Sequence, residues 1–519
     1  MFFQGRCIRL TDTTAATDAI CAANRTLARG EAVYRWHGPK TPFAEPGTLI
    51  FPGKNPQVFP GIGLLEFAGD DLDHLVLLKP GRVALLWDKS FLWGYMAFCT
   101  LRKLGFCCDL LTAADVRSEA LSRYQLLVVP GGWASLKCEE LGPDGMKQVL
   151  RFVKNGGSYL GLCGGAGLAL QVNEGLGLLA ASRKPMVERL PNFSGSIRVH
   201  RTSNHPLWWG LDDEASFQVW WPSQFKLLEP ENISVLGRYG EPEGDFCVSD
   251  LNVRDTEKSG LDWARLEEAY EINLDPRRLL NEPAIVECKY GEGRVVLSYP
   301  HLESPGDVPG NVALFNLWYE LLRTSPLVAE DEPASPVRPP CIQLDAESLE
   351  RFRAIVREAD SLIALGERRR LWSWRNPWLL QWRRGVRGSE FGTVCVMLRG
   401  LLGELERYGA TTGFAPATSR QQLGLEIRQL DKIWSSFLDK GGALLESEAT
   451  DMNGNGEAGL STRAQALRVE IFSCAHCYGS KSYGGLYRRL LDQIDALLLR
   501  TLLVAVQKEK SIALSLGTW

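Results

Sequence analysis

At residues 159–167 the chain reads Tyr-Leu-Gly-Leu-Cys-Gly-Gly-Ala-Gly, an apolar run that passes straight into a cysteine bracketed by glycines. No other string restricts the fold as much. The run at 158–162 predicts a strand buried on both faces. Cys163 and the glycines after it predict a sharp turn and then a helix, because only Gly or comparably small residues fit around so tight a reversal. A sulfur there sits at a helix N-terminus, where the macrodipole favours thiolate over thiol. An ordinary buried cysteine on a Gly-rich turn would give the same string, so the reading needs support from elsewhere.

The flanking sequence alternates strand and helix patterns. Residues 83–87 and 125–129 are further buried-strand runs, residues 93–104 and 146–154 read as helices, and Gly156-Gly157 stops the second of these. Residues 284–290 and 294–299 flank Gly291-Glu292-Gly293 and read as a hairpin. Over residues 81–325 this repetition predicts an α/β domain with a parallel sheet. Residues 1–80 hold one helix, at 14–27, and a Pro/Gly-rich stretch of turns and short strands at 37–63. They are expected to pack on the core as an extension. Residues 326–345 carry Pro326, Pro333, Pro336, Pro339 and Pro340, the mark of a linker. Residues 346–519 show a 3.6-residue period, as in Leu349, Phe352, Ile355, Val356 and Ala359, and predict an all-helical domain interrupted by a polar loop at 446–458.

Two features support a chemical reading of Cys163. Pro130-Gly131-Gly132-Trp133 follows the strand at 125–129, and in a parallel sheet that loop lies beside the turn. The N–H groups of Gly131, Gly132 and Gly164 could then form an oxyanion hole. The strand at 294–299 ends at Pro300 and delivers His301, with Glu303 two residues on. A catalytic cysteine needs a base and a group to orient that base. Of six histidines, His200, His205 and His301 follow the turn within this domain, and His301 alone has the strand-end position and the His-x-Glu spacing. Asp88 and Trp133 lie in loops at the strands' C-terminal edge, where open α/β sheets bind ligands, and are candidate substrate contacts. Asp88 reads equally as a helix cap.

The set VVPGGW (128–133), YLGLCGGAG (159–167) and VVLSYPHLE (295–303) resembles a class I glutamine amidotransferase, and most narrowly the N-terminal domain of biotin–protein ligases. The resemblance implies a flavodoxin-like parallel-sheet domain with Cys163 as nucleophile, His301 as base and Glu303 as orienter. It implies a hydrolase or transferase acting on the C–N bond of a small-molecule or peptide amide, without a cofactor. The family's glutaminases read G-x-C-x-G-x-Q, and this chain has Gly167 at the Gln position, so glutamine is not the expected substrate. No Gly-Arg-Gly-Arg run of a biotinyl-adenylate site occurs in these residues. A non-catalytic ligand-binding or scaffold protein that kept the fold stays open as the alternative.

The remaining signals are weaker. A net charge of −4 gives no general attraction to nucleic acid, which is not an expected partner. Thirteen scattered cysteines, no signal-peptide pattern at residues 1–6 and no membrane-length apolar run point to the reducing cytoplasm. In the Arg/Trp-rich stretch 368–384, Asn376-Pro377 reads as a helix start with Trp378 and Trp382 on one face. The stretch reads either as a helix–helix interface with arginines snorkelling outward or as a surface for an acidic partner, a membrane interface or single-stranded nucleic acid, and the helical domain could bind a protein partner. Cys474, His476 and Cys477 lack a second ligand pair, so no metal is expected.

The linker generates a test. Expressed apart, residues 1–325 should give a mixed circular-dichroism spectrum and residues 346–519 a helical one. A C-terminal piece that folds only when the other is added would show a single cooperative unit.

Overall fold

Val83–Leu86, Leu126–Val129 and Ser158–Leu162 are buried at every position. Segments of this kind must lie within a sheet covered on both faces. In the computed structural model they are neighbouring parallel strands, with Val83 opposite Leu126 and Leu126 opposite Ser158. The structure describes residues 3–11, 13–52, 65–69, 72–171, 175–326, 344–409, 417–453, 460–475 and 482–515. The expected linker falls almost wholly outside them, as do His476, Cys477 and residues 454–458 of the expected loop. The chain divides near residue 330 into two compact units.

In the first unit Asp109–Leu111 joins the parallel set at one edge and Gly293–Ser298 at the other, pairing with the Cys163 strand through Val295 and Tyr159. Helices Phe91–Lys103 and Ala134–Lys154 make the crossovers. Only the second half of the latter, residues 146–154, is legible as a helix in the sequence, because Gly142 (φ 61°, ψ 179°) and Pro143 break the period. The α/β class is as expected, but the sheet is not parallel throughout. Beyond Gly293–Ser298 it continues antiparallel through Pro283–Tyr290, Ser234–Pro242 and Phe193–Arg201, with Glu214–Trp220 paired to the last. The expected hairpin is present, closing at Tyr290 opposite Gly293.

The first eighty residues contain more sheet than the turn-rich reading allows. Five short strands pair in the order Leu65–Gly69, Phe3–Ile8, Leu49–Pro52, Tyr34–Trp36, Leu75–Leu77. Cys7, Trp36, Ala44, Ile50 and Phe67 form a small apolar cluster of their own. The helix Thr13–Ala28 and the strand Tyr34–Trp36 bond to the last helix of the unit, Val308–Thr324. Tyr319 donates to Asn24 Oδ1 over 2.6 Å, and the buried Arg35 donates to Asn316 Oδ1 over 3.0 Å.

The second unit is helical, built from Ala346–Arg368, Gly388–Gly409, Ala417–Asn453, Thr462–Phe472 and Gly485–Ser515. Phe352, Ile355, Val356 and Ala359 are buried, as their spacing predicts. Two expectations are corrected. The stretch after Arg370 is a hairpin of Trp372–Asn376 and Leu379–Trp382, not a helix. Asn376 does not cap a helix: its side-chain oxygen takes the N–H groups of Trp378 and Leu379, which bends the chain, and the alternating aromatic residues suit strands. The polar segment from Glu446 does not open a loop but stays helical to Asn453. Its polar face is partly internal: Glu448 and Arg468 are 0% and 1% exposed and joined at 2.7 Å. Among the described residues no helix is long and apolar enough to cross a membrane.

This buried pair makes a prediction. Glu448→Ala takes the carboxylate away from the buried Arg468 guanidinium, which keeps only weaker partners such as Gly385 O, and should destabilise the second unit by about 3–5 kcal/mol in urea unfolding. Replacing both residues together with Leu and Met should recover most of the loss. A single-mutant cost near that of a surface change, about 0.5 kcal/mol, would show that the pair is solvated.

Candidate active site

The strand Ser158–Leu162 lies inside the parallel sheet and ends at Cys163, whose backbone stands at φ 49°, ψ −102° before the short helix Gly164–Ala169. A non-glycine residue in such a conformation costs on the order of 1–3 kcal/mol and persists only where its surroundings enforce it. Here they do. The N–H of Cys163 donates to Ser298 O over 2.7 Å, and Gly167 N–H donates to Cys163 O over 3.0 Å. Tyr159 Oη donates to Gly165 O over 2.7 Å. The Pro130–Trp133 loop presses against the turn so closely that a Cβ on Gly164 would stand 1.8 Å from Gly132 O. Glycine is obligatory there.

His301 and Glu303 come to the same place. The His301 N–H donates to Gln218 O over 2.8 Å, and His301 Nδ1 lies 2.8 Å from Glu303 Oε1. The two side chains are 0% and 1% exposed. His301 Nε2 makes no hydrogen bond of full geometry, yet the Cys163 thiol is near enough to act on the ring by charge and hydrogen bonding. Burial pulls the His301 pKa down; the Glu303 carboxylate and the Cys163 sulfur outweigh it and lift the pKa to about 10. The Trp93 ring lies 4.8 Å from the imidazole, centre to centre, and Gly131 is so near that a Cβ there would reach 2.9 Å from His301 Cε1. Among the described residues the N–H groups of Gly131 and Gly132 donate to no backbone carbonyl.

The other candidates are placed as follows. Asp88 Oδ2 accepts from Ala113 N–H over 2.6 Å at the start of the helix Ala113–Arg117, whose N-cap is Thr112. Trp133 is 48% exposed at the mouth of the glycine loop. His200 bonds Glu214, and His205 lies against Arg294 and Glu287. Cys474 is described, and among the described residues no group of three or more His, Cys, Asp or Glu side chains could hold a metal.

Trp221 belongs to the Trp220-Trp221-Pro222 aromatics, which the sequence leaves open as cleft wall or core; it contacts Trp93 at 6.2 Å, and Trp93 lies against His301. Other neighbours carry no signal in the sequence. Lys137 is fully buried and donates to Ser90 Oγ behind the glycine loop. A lysine in an amphipathic helix reads as solvent-facing, and nothing in the string marks this one. Asp307 is buried and accepts from Gln218 N–H and Gly310 N–H, both at 3.0 Å. An Asp-x-Pro sequence before an apolar run is a legible helix cap; its second bond, to the strand that holds His301, is not.

Residues 111–173 match the family model of the biotin–protein ligase N-terminal domain. The matched segment contains the glycine loop and the Cys163 turn, and it names the family that the motifs resemble. No curated protein matches the sequence. Solved structures that match part of the chain include a putative GMP synthase subunit of Thermoplasma acidophilum, 15% identical over 47% of this chain and 95% of that one, with a TM-score of 0.31. Another is a glutamine amidotransferase of Thermotoga maritima, 15% identical over 47% and 96%, with a TM-score of 0.27. A putative ThuA-like protein of Bacteroides uniformis is 12% identical over 46% and 90%, with a TM-score of 0.30. Likeness at this level says nothing about activity.

The electrostatics of His301 can be measured. Its imidazole should stay protonated at pH 8 in histidine NMR spectra and titrate near pH 10. In Cys163→Ala the pKa should fall, because burial is then opposed by Glu303 alone. Since the folded pKa is raised, the stabilisation it brings is full below about pH 6.5 and is lost as pH rises through about 10. A neutral ring at pH 7 in the wild type would refute the charged pair.

Proposed function

We propose that the first unit is a cysteine-dependent amidohydrolase or amidotransferase, with Cys163 as nucleophile, His301 as general base and acid, and Glu303 as the group that orients the ring. The observation that carries this reading is the buried His301–Glu303 bond at 2.8 Å beside a cysteine held at positive φ. Structural cysteines do not require such a conformation, whereas a nucleophile that must stand clear of its strand does.

In the proposed reaction the Cys163 sulfur adds to an amide carbonyl, a C–S bond forms and the carbonyl electron pair moves onto oxygen. The N–H groups of Gly131, Gly132 and Gly164 supply donors for that oxyanion. Collapse breaks the C–N bond, and the leaving amine takes its proton from the His301 imidazolium. Water then attacks the thioester, His301 accepts the water proton, and the carboxylic acid leaves as the thiolate re-forms. Trp133 is assigned to the substrate wall. Asp88, bound to Ala113, is assigned to the scaffold. The described cysteines are free thiols, which suits a reducing compartment, and we propose the cytoplasm.

The test is a panel of amides and esters assayed with wild type and Cys163→Ala. Turnover should fall by at least about a thousandfold in the variant, since loss of a nucleophile removes nearly all of the chemical step. The circular-dichroism spectrum should stay unchanged. Free glutamine should be a poor substrate beside another amide. Turnover that survives the substitution would end the proposal, and an inactive protein whose Cys163 resists iodoacetamide would favour a non-catalytic scaffold.

A further inference from the structure

Gly167 is more than a missing side chain. It follows Cys163 by one turn, about 6 Å along a helix, and Arg183 lies over it: a Cβ at Gly167 would be 3.9 Å from Arg183 Nη2 and 3.3 Å from Ala134 Cβ. A longer side chain at 167 would take the space that the guanidinium now occupies. Arg183 ends the strand Ala181–Arg183, opposite Phe225 in the strand Phe225–Leu227. The lysines beside it have carboxylate partners of their own: Lys184, the next residue, pairs with Glu282 at 2.8 Å, and Lys226, opposite Ser182, with Glu188 at 3.7 Å. Among the described residues no carboxylate pairs with Arg183.

More donors gather around it. Arg189 Nη1 donates to Ser223 Oγ over 2.5 Å, while its Nε is buried without a partner. Burial first, and then the Arg183 charge, lower the Arg189 pKa, so the two guanidiniums are neighbours. The Tyr299 ring lies 4.1 Å from Phe225. Tyr299 and Tyr239 are 1% and 0% exposed; among the described residues neither phenol oxygen makes a hydrogen bond of full geometry, though Tyr299 lies beside Ser223, whose oxygen already accepts from Arg189. Both phenols feel the charge of Cys163, and Tyr299 also feels Arg183. Buried hydroxyls rarely go unsatisfied; Arg183 is exposed at the edge of the cluster and repels the half-buried Arg189, a repulsion that a bound anion would relieve. The cluster is a set of donors with too few acceptors, one helical turn from the candidate nucleophile.

We infer that Arg183, with Arg189, Tyr239 and Tyr299 behind it, binds a carboxylate on the acyl part of the substrate, and that Gly167 is the seat that lets Arg183 reach it. This rests on the proposed nucleophile and specifies its substrate class: ω-amides of dicarboxylic acids. Glutamine carries an ammonium beside its carboxylate, which would face two guanidiniums, so glutaric acid monoamide should be preferred to it.

The experiment reads the cluster whether or not the protein turns anything over. Cys163 is alkylated with iodoacetate, which carries a carboxylate, and with iodoacetamide, which is neutral and of similar size, and the two rates are compared. Arg183→Met should lower the iodoacetate-to-iodoacetamide ratio about tenfold, the size of one charge-assisted hydrogen bond, with the iodoacetamide rate nearly unchanged. Arg183→Lys should lose less. Glutarate, and not inorganic phosphate, should protect Cys163 in the wild type. An unchanged ratio, an equal fall in both rates or stronger protection by phosphate would each overturn the inference. Loss of turnover in Cys163→Ala bears on the reaction and not on this cluster, so the two readings fail separately.

Discussion

The N–H of Cys163 donates to the carbonyl of Ser298 over 2.7 Å, and the placement of everything chemical in the first unit depends on that bond. It ties the backbone of Cys163, the proposed nucleophile, in its strained conformation, to the neighbouring parallel strand, which delivers His301 three residues later. The strand register continues the tie inward, with Ser298 opposite Leu162 and Leu297 opposite Gly161. A shift of either strand would break the Cys163 bond and move the imidazole together. Strain at the turn and alignment of the side chains are therefore one constraint, and the cost of the first is met by the sheet that produces the second.

Behind this lies a second layer that holds the histidine from the other side. Gln218 lends its carbonyl to the His301 N–H and its own N–H to Asp307, and Asp307 caps the helix Val308–Thr324. Burial, and next in the raising direction Glu303, push the Asp307 carboxyl up to about 7, against the two N–H groups that favour its charged form. The antiparallel strand Glu214–Trp220 thus does what a helix terminus alone could not, fixing the loop that carries His301 and Glu303 to the sheet. The Trp93 ring lies against the imidazole and Trp221 against Trp93, and the His301–Glu303 pair is shut off from water, which strengthens the charge interactions inside.

The legible part of the fold is the part whose residues pattern locally. Three all-buried runs give the parallel strands, Gly291 to Gly293 give the hairpin, and Cys163 and His301 stand out because glycines and a strand-ending proline bracket them. The antiparallel half is obscure because its strands alternate irregularly and carry a bulge between Ile197 and Val199. The hairpin at Trp372–Asn376 is obscure because Asn-Pro serves a helix start and a turn equally well. Glu448 and Lys137 read as surface residues because their burial depends on partners distant in sequence, Arg468 and Ser90. Arg183 has no local mark at all: its meaning comes from lying over Gly167.

That placement bears on how such a fold changes its substrate. The groups proposed to make and break bonds sit on the Cys163 turn and on the loop after Ser298, both fixed by the parallel sheet. The donor cluster sits on other elements, the strands Ala181–Arg183 and Ser234–Pro242 and the loops around Arg189 and Ser223. Only Gly167 and Tyr299 touch both sets. A change at 167 can therefore exchange one recognition group for another without disturbing the backbone that strains Cys163, provided the new group reaches in from outside the turn. On the proposed reading, recognition passes from a side chain at 167, within the turn's own helix, to Arg183 on a neighbouring strand. The glycine at 167 would then go with a different substrate and would not, by itself, mean lost chemistry.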